Sequence, residues 1–335
     1  MISEPQVEVT SSQFEVIKSI ESAVGPQIPA FLKTVEESWQ PSDFLPDSSS
    51  PDFQDRLSGF REKAKVLPDS LLVVLVGDMV TEEALPSYQT WLNRLRGMVD
   101  VTGMSMTPWA VWSRGWTAEE NRHGDLLNRY LYLTGRVNMK AVETTVHHLI
   151  KDGFNPQTGD DPYLGFVYTS FQERATKISH RNVARLAAKE GEETLHTICG
   201  IIAGDEARHE SAYKFFMTKV FEEDPKGAIL SFAKMMKLKV AMPAHAMHEG
   251  GDHQLFAKFS RVAQRIGVYT VTDYAEIIQD LVRHWKIESL EGLSGATAQA
   301  QDYLSTLADR YKKLADRAVF DGTDSFSWIY GRKVS

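Results

Sequence analysis

Residues 109–130 read WAVWSRGWTAEENRHGDLLNRY, and residues 195–213 read LHTICGIIAGDEARHESAY. An α-helix returns to the same face every 3.6 residues, so each stretch can be sorted by steps of three and four. The first yields the stripe Trp109, Trp112, Trp116, Glu120, His123, Leu127 and Tyr130, apolar except at Glu120 and His123. The second yields Leu195, Cys199, Ile202, Glu206, His209 and Tyr213, apolar except at Glu206 and His209. Each stretch therefore predicts a helix whose core-facing stripe carries a Glu-x-x-His pair at its middle.

Each pair is preceded by a helix with one inward acid. Glu82 follows Leu75 and Met79, and Glu173 follows Phe166 and Thr169. The chain thus runs through lone Glu, then Glu-x-x-His, twice. Burying six such groups costs several kcal/mol per unpaired carboxylate unless something compensates the charge. Two divalent ions would do so: four carboxylates balance two Fe(II), and two imidazoles complete the set. This is the general pattern of ferritin-like carboxylate-bridged bundles. Donors of this kind, rich in carboxylate with some imidazole, suit iron or manganese, whereas zinc favours tetrahedral nitrogen and sulfur sets.

Composition agrees. The chain has 335 residues, 42% hydrophobic and 24% charged, which fits a packed globular domain. Its one cysteine, Cys199, excludes an intramolecular disulfide and thiolate metal sites. A net charge of −8 argues against nucleic acid. The longest uncharged apolar run, Leu71–Val76, is far short of the roughly 20 residues a membrane helix needs, so no membrane insertion is expected. The start, MISEPQVEVT, lacks the features of a secretory signal or transit peptide. Cytoplasm, as in a bacterium, or the plastid stroma for a mature form, is the expected setting.

Helices are expected over about 11–40, from about 53, and over about 66–95, 107–134, 162–190 and 192–221. Two or three more should fill 225–315, broken by the loop 241–252, and 317–335 should be irregular or short-stranded. The fold class is all-α: a ferritin-like diiron-carboxylate four-helix bundle within a larger helical domain. A single domain 1–335 is expected, with an N-terminal helix and arm (1–30), a bundle core (66–221), and further helices and a tail (222–335).

The runs VGDMVTEEALPSYQT, WTAEENRHGDLLNRYLYLTGRV, PYLGFVYTSFQERATKISH, GDEARHE, MPAHAM and FSWIY closely resemble the soluble plant-type acyl-ACP desaturases. The resemblance extends from about Phe31 to Lys333. It implies the same six metal ligands, Glu82, Glu120, His123, Glu173, Glu206 and His209, holding two Fe(2+) per subunit. Glu83, Glu119 and Glu210 are left outward or behind the ligands. The activity implied is insertion of a cis double bond, at the Δ9 position, into a saturated C16–C18 chain on acyl carrier protein. Ferredoxin supplies two electrons, O2 is activated, and two hydrogens leave adjacent methylenes. A homodimer is implied as well.

The resemblance also assigns outer residues. Thr176 matches a hydroxyl beside the oxygen-binding side, although a helical threonine also bonds to its own backbone. Trp39 and Asp205 match an electron-entry path to His123. Trp91, Leu95, Pro156, Thr158, Gly165 and Phe166 fall where the family lines its acyl tunnel, with simple core packing as the alternative. Trp91 is bulkier than the Met of the stearoyl enzymes at this position, a departure that leaves the preferred chain length open and would shorten the cavity. An acidic carrier protein calls for basic groups at the tunnel mouth, and Lys234, Lys237 and Lys239 or Arg61, Lys63 and Lys65 are the two clusters available. Competing readings of the same ligand pattern are a ferritin-like iron-handling protein, another diiron oxidase such as the radical-generating subunit of ribonucleotide reductase, and a non-catalytic carrier-protein-binding scaffold.

Overall fold

The computed structural model describes residues 11–335, of which only the tail forms strands. Part of the N-terminal arm, residues 1–10, lies outside the described residues. The chain opens with three short helices, α1 (Ser11–Ser19), α2 (Glu21–Val24) and α3 (Ile28–Phe31). Then come α4 (Phe53–Ala64), α5 (Asp69–Glu83), α6 (Leu85–Leu92), α7 (Pro108–Thr134) and α8 (Met139–Asp152). The two longest helices are α9 (Pro162–Glu190) and α10 (Glu193–Glu223). They are followed by α11 (Pro225–Leu238), α12 (Leu255–Arg265), α13 (Val271–His284) and α14 (Ala296–Ala315). The tail closes with β1 (Asp324–Ser325) paired antiparallel to β2 (Lys333–Val334).

The bundle core consists of α5, α7, α9 and α10, with α9 and α10 in the most extensive contact. Their ends follow from local chemistry. Pro108 opens α7, and Gly135 closes it at φ +66°. The Asp161 carboxylate accepts the N–H groups of Tyr163 and Leu164 at the start of α9, and Gly191 ends that helix at φ +83°. In α5 the run Leu71–Glu82 is buried on every side, which marks it as the central helix. A Cβ on Gly124 would lie 3.3 Å from the Glu82 carbonyl carbon, so glycine there lets α7 close onto α5 beside Glu82.

Four expectations need correction. The helix expected over 11–40 stops at Phe31, where Leu32 turns extended (φ −116°, ψ 147°), and the chain to Gln40 lies along the bundle instead. The helix expected over 66–95 is two helices, because Pro86 has no N–H to donate and Ala84 (φ −78°, ψ 9°) bends the chain between them. Four helices rather than two or three fill 225–315, and α8 occupies a stretch between the helices expected over 107–134 and 162–190. The apolar interior is split into two blocks. One contains Trp109, Trp112, Trp116, Phe166 and Phe216, and the other Leu72, Leu127, Tyr130, Leu195 and Ile202. The Glu and His residues of α7 and α10 form the layer between the blocks.

Candidate metal centre

Glu82 (α5), Glu120 and His123 (α7), Glu173 (α9), and Glu206 and His209 (α10) are all buried. Their donor atoms meet as two overlapping sets: Glu82, Glu120, His123 and Glu206, and Glu120, Glu173, Glu206 and His209. Within each set the donors lie within 4.8 Å of one another, and Glu120 and Glu206 belong to both. The two imidazoles present the same nitrogen inward. His123 Nδ1 lies 3.3 Å from both Glu120 Oε2 and Glu206 Oε1. His209 Nδ1 lies 2.7 Å from Glu120 Oε1 and 3.7 Å from Glu173 Oε2.

The arrangement fits a pair of metal ions. His123 Nδ1, His209 Nδ1, Glu120 Oε1 and Glu206 Oε1 are buried and make no hydrogen bond. Buried polar atoms are rarely left so, and four facing one spot point to a cation. Donors about 2.1 Å from a common ion at right angles lie about 3 Å apart, close to the spacing here.

Electrostatics lead to the same conclusion. Burial raises the Glu82 carboxyl to about 7. Burial and the nearby Glu120 and Glu206 charges push Glu173 well above the carboxylate range. Glu120 goes the other way, since the two histidines outweigh its burial and hold it low. Burial disfavours a charged His209, yet Glu119 and Glu120 raise it to about 9. Left to themselves, Glu173 and His209 hold protons at neutral pH that metal binding would displace.

Both imidazoles and both unshared carboxylates are gripped from behind. The His123 Nε2 lies 3.4 Å from Asp205 Oδ2, and the His209 Nε2 lies 3.0 Å from Glu119 Oε2. Glu119 and Asp205 each immediately precede a shared glutamate in sequence. Arg208 pairs with both of them. Lys33 donates its backbone N–H to Glu119 at 2.7 Å and its ammonium lies 3.0 Å from Asp205. Trp39 donates its indole N–H to Asp205 at 2.9 Å and stacks on His123 at 6.0 Å, 10° from parallel. The outer oxygen of Glu173 accepts from the Trp116 indole at 3.0 Å, and that of Glu82 meets His180 Nε2 at 2.8 Å. His180 and the grip of Trp116 were not anticipated. His180 stands two turns beyond Glu173 on the same stripe, which was the available signal. Glu210 is no outward residue: it is buried among Arg174, Lys177 and Lys214.

A narrow cavity of about 60 Å³ runs against the centre. Its walls include Glu82, Glu120, Glu173, Glu206, Tyr88, Trp91, Trp116, Phe154, Tyr168, Thr176 and Pro243. The Thr176 hydroxyl is 2.9 Å from Glu206 Oε2 and 3.1 Å from the Gln172 and Glu173 carbonyls. Of the six residues assigned to a tunnel, Trp91 lines this cavity, its indole N–H donating to Thr158 Oγ1 at 2.8 Å. Leu95 packs behind, where a Cβ on Gly165 would come within 2.7 Å of it. Phe166 lies in the aromatic core against Trp109 and Phe216, and Pro156 is half-buried in the loop before α9. Lys234, Lys237 and Lys239 are exposed at the end of α11. They lead into the loop whose Ala241 carbonyl accepts from the cavity residues Tyr168 and Gln172. Arg61 and Lys63 on α4 and Lys65 just past its end are exposed, and Arg61 donates to the Leu133 carbonyl at the far end of α7.

Among the described residues no helix is long and apolar enough to cross a membrane. The sequence profile of the fatty acid desaturase family matches residues 12–330. The chain is 56% identical to a rice (Oryza sativa subsp. indica) protein named chloroplastic stearoyl-[acyl-carrier-protein] 9-desaturase 2, over 99% of this chain and 86% of that protein. It is 54% identical to the olive (Olea europaea) chloroplastic stearoyl-[acyl-carrier-protein] 9-desaturase, over 99% of this chain and 87% of that one. Among solved structures, a candidate acyl-ACP desaturase, DesA2 of Mycobacterium tuberculosis H37Rv, has the same fold at a TM-score of 0.55 and 17% identity, covering 87% of this chain and 99% of that one. The doubled Glu and Glu-x-x-His layer, the helical bundle that carries it and these matches over almost the whole length lead to one assignment: the chain belongs to the fatty acid desaturase family.

Proposed function

We propose that this chain is an acyl-ACP desaturase that inserts a cis double bond, at the Δ9 position, into a saturated C16–C18 chain on acyl carrier protein. The observation that carries the reading is a carboxylate-imidazole cluster set in the wall of a cavity otherwise lined mainly by apolar and aromatic side chains. Glu82 with His123 and Glu173 with His209 would hold two iron ions, with Glu120 and Glu206 shared between them. Bound there, the iron would supply the redox chemistry that uses O2 and electrons from ferredoxin.

The chain's own residues do the rest. Asp205 and Glu119 fix the imidazoles with Nδ1 inward, as carboxylate partners of metal-bound histidines commonly do. Thr176 can hold a proton at Oγ1 between Glu206 and the cavity. Trp39, stacked on His123 and bonded to Asp205, fits the electron-entry role. Trp91, Phe154 and Tyr168 keep water from the reacting methylenes and end the cavity. At about 60 Å³ the cavity is far below the roughly 300–1,000 Å³ of ligand-filled pockets, so an acyl chain must move these aromatic walls as it enters. The α11 lysines adjoin the loop that roofs the cavity, which favours them over the α4 cluster for an acidic carrier protein. A homodimer, and a bacterial cytoplasm or plastid stroma as setting, complete the proposal.

An iron-storage role would leave the aromatic cavity without purpose. Incubation with stearoyl-ACP or palmitoyl-ACP, reduced ferredoxin and O2, followed by product analysis, tests the reading. A cis-unsaturated acyl product is expected. Iron oxidation with fully saturated acyl chains would select the iron-handling alternative.

A further inference from the structure

The two halves of the centre repeat one design, yet the groups behind their terminal carboxylates differ in kind. Glu173 is gripped through its outer oxygen by the Trp116 indole, and Trp116 is itself a wall of the cavity. Glu82 is gripped by His180, which is 1% exposed and does not line the cavity. His180 Nε2 lies 2.8 Å from Glu82 Oε1, and both side chains are buried, so the contact is shielded from solvent.

The neighbouring residue reinforces this grip. Ser179, adjacent to His180 on α9, lies 3.0 Å from both Asp78 carboxylate oxygens, and Asp78 stands one turn before Glu82 on α5. Two successive residues of α9 thus bind two residues one turn apart on α5. Glu82 is left a single oxygen, Oε2, that faces His123 Nδ1 at 3.8 Å. On the other side, the grip on Glu173 belongs to a wall that an entering molecule touches.

From this we infer that the two metal positions are inequivalent: His180 is a positioning residue that makes the Glu82–His123 position the firmer one, filled first by a divalent ion. A carboxylate already fixed in one rotamer loses less freedom on ligating a metal, and loss of a partner behind a ligand lowers metal affinity by about 10–100-fold. The inference rests on the two-metal reading above, and the experiment separates the two.

The test is a cobalt(II) titration of the metal-free chain, followed by the visible ligand-field absorption of the bound ion. Wild type should bind two ions in two steps. His180→Ala should weaken the tighter step by about tenfold or more and leave the looser one near its original value. His180→Gln, which retains an N–H donor, should restore most of the loss. Ser179→Ala, which removes the contact to Asp78 but not the grip on Glu82, should keep both steps even where its melting temperature falls. Two unchanged steps in His180→Ala would overturn the inference, as would an equal loss in Ser179→Ala, since helix contact alone would then explain it. Failure of wild type to bind two ions would remove the metal reading itself, and this inference with it.

Discussion

Glu206 and Glu210 stand one turn apart on α10, both buried, and their neighbours give them different work. Glu206 meets His123, Thr176 and the shared donor sets. Glu210 meets three cations: Arg174 at 2.8 Å, Lys214 at 3.1 Å, and Lys177. These cations outweigh its burial and keep its carboxyl ionised below the usual range. Glu210→Ala should therefore keep the full metal complement while losing roughly 2 kcal/mol of stability, because three cations lose their common anion. That figure lies below the range for fully buried pairs because the Arg174 and Lys177 side chains are each 24% exposed. Chemical denaturation together with metal analysis checks both parts. At this scale the six inward donors were legible, because spacing by three and four along an apolar stripe is a property of one helix. The groups behind them were legible only in part: the family resemblance offers Trp39 and Asp205, whereas His180, Lys33 and Arg208 act across helices, and no single-helix periodicity reports a partner 86 to 98 residues away.

Among the elements, the C-terminal hairpin tests how the periphery is fastened. The Arg332 guanidinium, between β1 and β2, contacts both Asp69 carboxylate oxygens, at 2.7 and 3.0 Å, and Arg136 adds a contact at 3.1 Å. Asp69 is the first residue of α5, so the tail is tied to the central helix of the bundle. Hydrogen bonding from Arg332 leads the causes that lower the Asp69 pKa. A carboxyl lowered in the folded state stabilises the fold above its unfolded value of about 3.9, and that contribution is lost as pH falls through the lower folded value. Asp69→Asn should thus unfold at lower urea than wild type at pH 7, with the gap closing below about pH 4. A gap of constant size down to pH 3 would contradict the assignment. The long helices α7, α9 and α10 could be placed from sequence because Pro, Asp and Gly mark their ends. The break at Ala84 and the exit of the chain at Leu32 could not. Both serve three-dimensional demands, since the segment after Leu32 leaves its helix to bring Lys33 and Trp39 over the histidines.

On the scale of the whole molecule, the apolar interior of the described residues falls into two hydrophobic blocks, with the layer of Glu and His between them. Fold and site are therefore one fact: four helices share the cost of burying these charges only if cations neutralise them. The all-helical class and the bundle could be read from the two Glu-x-x-His stripes. The cavity could not, because Pro243 and the Ala241 carbonyl reach it from a loop far along the chain. The most direct test of the account is the iron content of the chain after anaerobic loading with Fe(II) and removal of free metal, measured beside Glu206→Ala. Two iron ions per wild-type chain, and fewer than one in Glu206→Ala because both donor sets share that carboxylate, is the predicted result. A wild-type chain that retains no iron, or a Glu206→Ala chain that still holds two, would contradict it.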